Sequence, residues 1–127
     1  MSRDRKLVVR AFELYVRPIL EYNSVIWSPV LKKDIVSIEK VQRRYTKRLP
    51  GLKNLRYQER LKHLSLSSLE LRRLHADLVM CYKIIFGLVS VHCTNFLRLS
   101  PLTHTRGHPY KLFKQHSKTS VGSSFFW

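Results

Sequence analysis

Apolar residues recur at steps of three and four between positions 30 and 49, and this spacing constrains the fold more than any other feature of the chain. They are Leu31, Ile35, Ile38, Val41, Tyr45 and Leu49. Residues at such steps share one face of an α-helix, and the Pro50-Gly51 pair that follows is typical of a helix end. The pattern predicts a helix over about residues 30–49 that buries this face. Ser28 is expected as its N-cap, with Pro29 at its first position.

The chain before residue 28 predicts two more helices. The first starts near Ser2 or Asp4 and has an apolar face made of Leu7, Val8, Ala11, Leu14 and Tyr15. Pro18 should then kink the chain or open the second helix, because proline has no backbone donor. The face of that second helix consists of Val16, Ile19, Leu20, Asn23, Ile26 and Trp27. Both faces are expected to be buried.

Two further helices are predicted after Gly51. The short fourth helix is indicated by Tyr57, Leu61 and Leu64. The fifth begins at Ser67-Ser68-Leu69-Glu70, which fits a capping box, and Gly87 suits its C-terminal cap. Its expected buried face consists of Leu71, Leu74, Leu78, Tyr82 and Ile85.

The tail after Ser100 has a different composition. It contains no acid, four Lys or Arg residues and three His residues, and it lacks a sustained period. Such sequence is typical of extended or poorly ordered chain. The fold class predicted is therefore all-α, with a small domain of four to five helices over residues 1–99 and a basic flexible tail over residues 100–127. The terminal aromatic residues Phe125, Phe126 and Trp127 are expected to be the stub of an element that packs elsewhere.

The chain is strongly basic, and this bears on its partners and its compartment. Its 24 Lys and Arg residues against 8 Asp and Glu residues give a net charge of +16, which predicts attraction to polyanions, most naturally nucleic acid. An anionic membrane or a ribosome-like partner would attract the same charge. Cys81 and Cys93 do not make a disulfide framework, and Cys81 is expected to be a buried free thiol. We expect an intracellular protein without a secretory signal, and the apolar run at residues 78–91 is too short to span a membrane.

A basic stripe on the third predicted helix is the best candidate site. It consists of Lys33, Lys40, Arg43, Arg44 and Lys47. At about 100° per residue these side chains cluster within about 60° of one direction, opposite the apolar face, and only Glu39 lies at the edge. The stripe is roughly 21 Å long, enough to follow about six phosphates of a strand. The competing interpretation is an ordinary solvated helix face, although such a face usually mixes charges of both signs.

Other residues are weaker candidates for binding roles. Tyr22 and Trp27 could stack on unpaired bases, but helical spacing among apolar residues favours the core. Arg72-Arg73 could extend the basic surface or form a solvated face. His104 and His108 are spaced like a zinc pair, with Cys93 and His116 nearby, yet no C-x-x-C pair accompanies them. We therefore predict no metal site, no cofactor and no small-molecule ligand.

Short motifs occur along the chain in a recognisable order. They are RP-x-LEY, W-x-P, DI, E-x-VQRR-x-TK, RL, LE-x-RR, DL, YKI and TRGH. In this order they resemble the region just downstream of the polymerase core in reverse transcriptases of jockey-type, LINE-like non-LTR retrotransposons. The resemblance extends over roughly residues 7–118 and is densest between Leu14 and Lys47. One departure is Arg56, which stands where the family often has a capping residue before Tyr57, and it should weaken the start of the fourth helix.

The resemblance implies a thumb-proximal, post-polymerase region that lies against a template–primer duplex. Polymerases of this class hold two metal ions with clustered carboxylates, whereas none of the eight acids here is adjacent to another. We therefore expect a fragment without the catalytic palm, not an enzyme by itself, whose partner is an RNA–DNA hybrid or duplex backbone. Two alternatives are a non-functional remnant of a decayed element and an interaction module that docks on the missing polymerase core.

Overall fold

The computed structural model describes residues 4–95, 97–102, 104, 106–114 and 116–119. Its α-helices are α1 (Arg5–Ala11), α2 (Arg17–Glu21), α3 (Ser24–Trp27), α4 (Lys32–Arg48), α5 (Tyr57–Leu64) and α6 (Leu69–Ile85). A π-helical turn, Phe12–Val16, joins α1 to α2, and a short 3₁₀ turn covers Cys93–Asn95. The described residues contain no β-strand, only an isolated antiparallel bridge between Leu99 and Leu112. The predicted all-α class is confirmed.

The chain divides into two compact units, Met1–Ala76 and Asp77–Trp127, and α6 begins in the first and ends in the second. The predicted division at residue 100 follows a change in composition and stays a prediction. The described part of the tail contains no helix. The expected terminal stub at residues 125–127 and the helix start at Ser2 lie outside the described residues.

The predicted helix ends are confirmed. Arg48 is the last residue of α4, and Gly51 follows with a φ of 78°. Gly87 follows the end of α6 with a φ of 65°. Its N–H donates to the Ile84 carbonyl, and the N–H of Leu88 donates to the Lys83 carbonyl. These two bonds form a Schellman motif, which satisfies the last carbonyls of a helix.

The helix starts need several corrections. Ser28 and Pro29 do not cap α4, because Ser28 ends α3 and the N-cap is Leu31, in an extended conformation. The predicted second helix is interrupted at Asn23, whose φ is 55°.

Side chains cap the starts of both α5 and α6. At α5, the Glu59 carboxylate accepts the Arg56 N–H at 2.9 Å, which supports a start that the sequence predicted to be weak. At α6, Ser68 accepts the Leu71 N–H at 3.2 Å. Because α6 begins at Leu69, Glu70 does not occupy the third position that the predicted capping box requires.

The buried faces differ from those predicted in three places. On the N-terminal helices Phe12 is buried, while Leu7, Leu14, Tyr15, Ile19 and Ile26 are exposed. On α4 the buried residues are Glu39, Gln42 and Thr46, while Leu31 and Val41 are exposed. On α6 they are Leu69, Arg73, Cys81 and Ile84, while Leu71, Leu74, Leu78 and Tyr82 are about half exposed. In these three regions the buried side of the helix is therefore rotated about the axis relative to the face that its apolar pattern predicted, whereas Leu61 of α5 is buried as predicted.

Each unit has its own buried residues. The first unit buries Phe12, Leu49, Leu52, Leu61, Leu66 and Leu69. Phe12 stacks on Tyr45 with ring centroids 4.3 Å apart, which joins the N-terminal helices to α4. The second unit has a small apolar cluster of Cys81, Ile84 and Leu97.

Candidate nucleic-acid interface

The inner face of α4 is fixed by polar contacts. The Glu39 carboxylate is buried and accepts the Leu69 N–H, with its nearer oxygen at 3.1 Å, and it also accepts the Tyr57 hydroxyl. Gln42 donates its side-chain amide to the Ser67 carbonyl at 2.9 Å and to the Tyr57 oxygen at 3.1 Å. A carboxylate at the start of α6 satisfies a free N–H and complements the helix dipole. These bonds hold α4, α5 and the start of α6 in one orientation.

Burial, and then the hydrogen bond to the Glu39 carboxylate, raises the pKa of Tyr57. Its hydroxyl therefore stays protonated as a donor at neutral pH. On the same helix face, the Tyr45 hydroxyl donates to the Val8 carbonyl. These contacts define which side of α4 meets solvent.

The outer face of α4 carries all five residues of the basic stripe, Lys33, Lys40, Arg43, Arg44 and Lys47, and each is exposed. Glu39, expected at the edge of this stripe, is turned inward and buried. Asp34, the other acid of the helix, lies more than about 100° around the axis from the centre of the stripe. The exposed stripe therefore contains no acid.

One residue of the basic stripe, Arg43, also contacts an aromatic ring. The Arg43 guanidinium lies 5.0 Å from the centroid of the Tyr57 ring, within the range of a cation–π contact. At the C-terminal end, Lys47, Arg48 and Lys53 line a shallow cavity of about 510 Å³. Sequence reasoning missed Arg48 and Lys53, although cations are favoured at a helix C-terminus by its dipole.

Tyr22 and Trp27 are not core residues, so that part of the interpretation was wrong. Tyr22 is 78% exposed and Trp27 is 43% exposed. The Trp27 indole N–H donates to the Tyr22 carbonyl at 2.5 Å. Stacking of these rings on bases stays a prediction.

The Arg72-Arg73 pair serves neither of the two roles considered for it. Arg72 forms a two-point ion pair with Glu21, in which Nη2 and Oε2 are 2.9 Å apart, and this hydrogen bonding raises the pKa of Arg72. Arg73 is buried, and its two terminal nitrogens have no hydrogen-bond partner among the described residues. The pair is therefore part of the packing around the start of α6.

The remaining sequence predictions concern a metal site, the two cysteine thiols and a membrane-spanning helix. In the part of the chain that the structure describes, no three His, Cys, Asp or Glu side chains come close enough to hold a metal ion. Cys81 and Cys93 are free thiols, and burial raises the pKa of Cys81, the buried one of the two. No described helix has the length and apolar character needed to cross a membrane.

Comparison with protein-family models, with curated proteins and with solved structures found no match to this chain.

Proposed function

We propose that this chain is the thumb-proximal, post-polymerase region of a non-LTR retrotransposon reverse transcriptase and that it grips the template–primer duplex through its backbone. The order of motifs between Leu14 and Lys47 supports the family assignment. The observation that carries the role is the acid-free basic stripe on the outer face of α4. On this proposal the chain positions nucleic acid and does not by itself extend a primer.

The mechanism is electrostatic and independent of base sequence. Each Lys or Arg that neutralises a phosphate releases condensed counterions, so affinity falls as salt rises. Phosphate contacts fix register and orientation without reading bases. An RNA–DNA hybrid of A-like geometry is recognised in this way, because its deep major groove excludes side chains.

The stripe is tested by replacing Arg43, Arg44 and Lys47 with Gln and measuring duplex affinity across a salt series. The wild-type log–log slope should be about −4 to −5, since each phosphate contact contributes ~0.9. The triple variant should lose roughly 3 from the magnitude of that slope and weaken similarly on unrelated sequences. Helicity should survive, because these side chains face away from the buried residues of α4.

A matched control replaces three exposed cations outside the stripe, Lys6, Arg10 and Lys62, with Gln. Both variants lose the same formal charge. Diffuse attraction to a basic protein predicts equal losses from the two variants, and that result would contradict the stripe. A smaller change in the control assigns the phosphate contacts to α4.

A second candidate function is docking on a polymerase core. It is favoured by the large apolar side chains that the N-terminal helices expose, among them Leu14, Tyr15, Ile19 and Ile26. Exposed apolar patches of this kind are typical of protein–protein contacts. Replacing Ile19 and Ile26 with Asn should abolish capture by a palm-containing fragment of such a polymerase while duplex affinity is unchanged. Undiminished capture would exclude these helices as the docking surface.

A further inference from the structure

The second unit carries a row of ring contacts that the basic stripe does not involve. Tyr82 on α6 contacts Phe86 with centroids 4.5 Å apart, and Phe86 contacts Tyr110 at 5.2 Å. His108 continues the series at 6.4 Å from Tyr110. We call these four residues the aromatic row. It joins the end of α6 to the tail segment that includes the TRGH motif.

The aromatic row is a surface feature and not part of the core. Tyr82 is 55% exposed, Phe86 47% and Tyr110 46%. The buried cluster of this unit consists of other residues, Cys81, Ile84 and Leu97. Each ring therefore contacts at least one other ring of the row, and Tyr82, Phe86 and Tyr110 each leave about half of their surface exposed to solvent.

The tail holds Tyr110 in place through backbone hydrogen bonds. The N–H of Ser100 donates to the Lys111 carbonyl at 2.6 Å, and the N–H of Phe113 donates to the Arg98 carbonyl at 2.7 Å. These bonds flank the isolated bridge between Leu99 and Leu112. Because the two segments of the bridge are hydrogen-bonded to each other, Tyr110 is positioned before any ligand binds, and less ordering entropy is lost on binding.

The unit that contains the aromatic row is mostly positive in charge. From Asp77 onward the chain has six Lys and Arg residues and no acid except Asp77, a formal charge of +5. Lys83 is adjacent to Tyr82 in sequence, and Arg106 and Lys111 flank His108 and Tyr110. Lys111 Nζ donates to the Arg106 carbonyl at 3.2 Å, which keeps this cation beside the segment. A partner of the aromatic row must therefore tolerate a strongly positive surface.

We propose that the aromatic row binds the unpaired bases of single-stranded nucleic acid. Exposed aromatic faces combined with surrounding cations are the means by which proteins hold single strands without reading sequence, because every base has a flat π-face and every linkage a negative charge. This site consists of other residues than the α4 stripe, which on the proposed function contacts phosphates of a duplex. It adds a second ligand class, a single strand, to the proposed function.

The test uses the full chain and a short oligothymidylate that carries a central 2-aminopurine, whose fluorescence falls when it stacks. Binding should quench this fluorescence. Tyr110→Ala should weaken binding about 5- to 150-fold, the range measured for losing one aromatic stacking partner, with the salt slope unchanged because no charge is removed. Tyr110→Leu should lose as much, whereas Tyr110→Phe should retain affinity. These two variants preserve apolar volume, so the comparison isolates the ring even where the alanine variant unfolds.

Phe113→Ala is the matched control, because Phe113 is an exposed aromatic residue outside the aromatic row. Equal losses from Phe113→Ala and Tyr110→Ala would overturn the proposal. So would equal affinity for an abasic oligomer of the same length and charge. Full affinity in Tyr110→Leu would also overturn it and would favour a protein partner for this surface.

Failure of this proposal is distinguishable from failure of the proposed function. The α4 triple variant alters duplex affinity and its salt slope, but it leaves the ring contacts intact. Fluorescence quenching that persists in that variant supports the aromatic row whether or not the duplex result supports the stripe. Quenching that disappears with the stripe would overturn a separate single-strand site.

Discussion

The two units of this protein differ in the polar groups that they bury. In the first unit a buried carboxylate, Glu39, and a buried amide, Gln42, contact α5 and the start of α6 through hydrogen bonds. In the second unit the buried side chains are a small apolar cluster around Ile84. Polar contacts are directional and fix orientation, whereas apolar contacts depend on volume. The first unit should therefore be sensitive to loss of a hydrogen-bonding atom as well as to loss of an apolar side chain, and the second mainly to loss of apolar volume.

This contrast also bears on the candidate site. A basic stripe is useful only if its helix presents the same side to solvent at all times. The Glu39 and Gln42 contacts provide that constraint, because turning α4 would leave both groups buried without partners, which costs about 1 to 3 kcal/mol for each. The buried polar contacts of Glu39 and Gln42 thus position the cations on the surface of the first unit.

The largest effect is expected from Glu39→Ala. It removes the acceptor of the Leu69 N–H and of the Tyr57 hydroxyl, and we expect the free energy of unfolding to fall by about 3 kcal/mol. Asp34→Ala is the matched control, since Asp34 is an exposed acid in the first turn of the same helix and should cost about 0.5 kcal/mol. Urea denaturation measures both. Similar losses of unfolding free energy in the two variants would show that the buried contacts of Glu39 do not stabilise the first unit more than an exposed acid does.

A smaller effect is expected from Ile84→Ala in the apolar cluster. The cluster has few members and can collapse, so we place the loss at about 2 kcal/mol, near the lower end for such substitutions. Leu78→Ala, at a half-exposed position on the same helix, should cost less than about 1 kcal/mol. Thermal and urea unfolding of the two variants check this order. A larger loss at Leu78 would show that the exposed face of α6 is packed in solution.

The smallest effect is expected from Tyr57→Phe, about 1 kcal/mol at neutral pH, because one hydrogen bond to Glu39 is lost. The pKa of Tyr57 is raised in the folded protein above its ordinary value of 10.0. Its contribution to stability is therefore complete below pH 10 and is lost as pH rises through the folded-state pKa. The stability difference between wild type and variant should shrink as pH rises above 10. Urea denaturation at a series of pH values measures it, and a constant difference would show that Tyr57 does not titrate in this way.

The C-terminal ends of the helices could be predicted from the sequence. Pro50-Gly51 after α4 and Gly87 after α6 were predicted and are confirmed. Ser67-Ser68 was also expected at the start of α6, and Ser68 accepts the Leu71 N–H there. Such signals are readable because the hydrogen bonds that end a helix connect residues only a few positions apart. The start of α4 was predicted wrongly, because Ser28 is the C-cap of α3 and not the N-cap of α4. Local sequence signals alone therefore do not fix every helix start.

The sequence by itself determined the helical class, the spacing of the stripe residues along one helix side and the positive charge of the chain. Only the tertiary structure decided which side of each helix is buried. Glu39, Gln42 and Arg73 are polar, so an apolar period places them outside, yet all three are buried. The partners of Glu39 and Gln42 come from residues 57–69, far along the chain, and no local pattern records them. Burial of a polar group becomes favourable only when such partners meet it, and that meeting is a property of the fold.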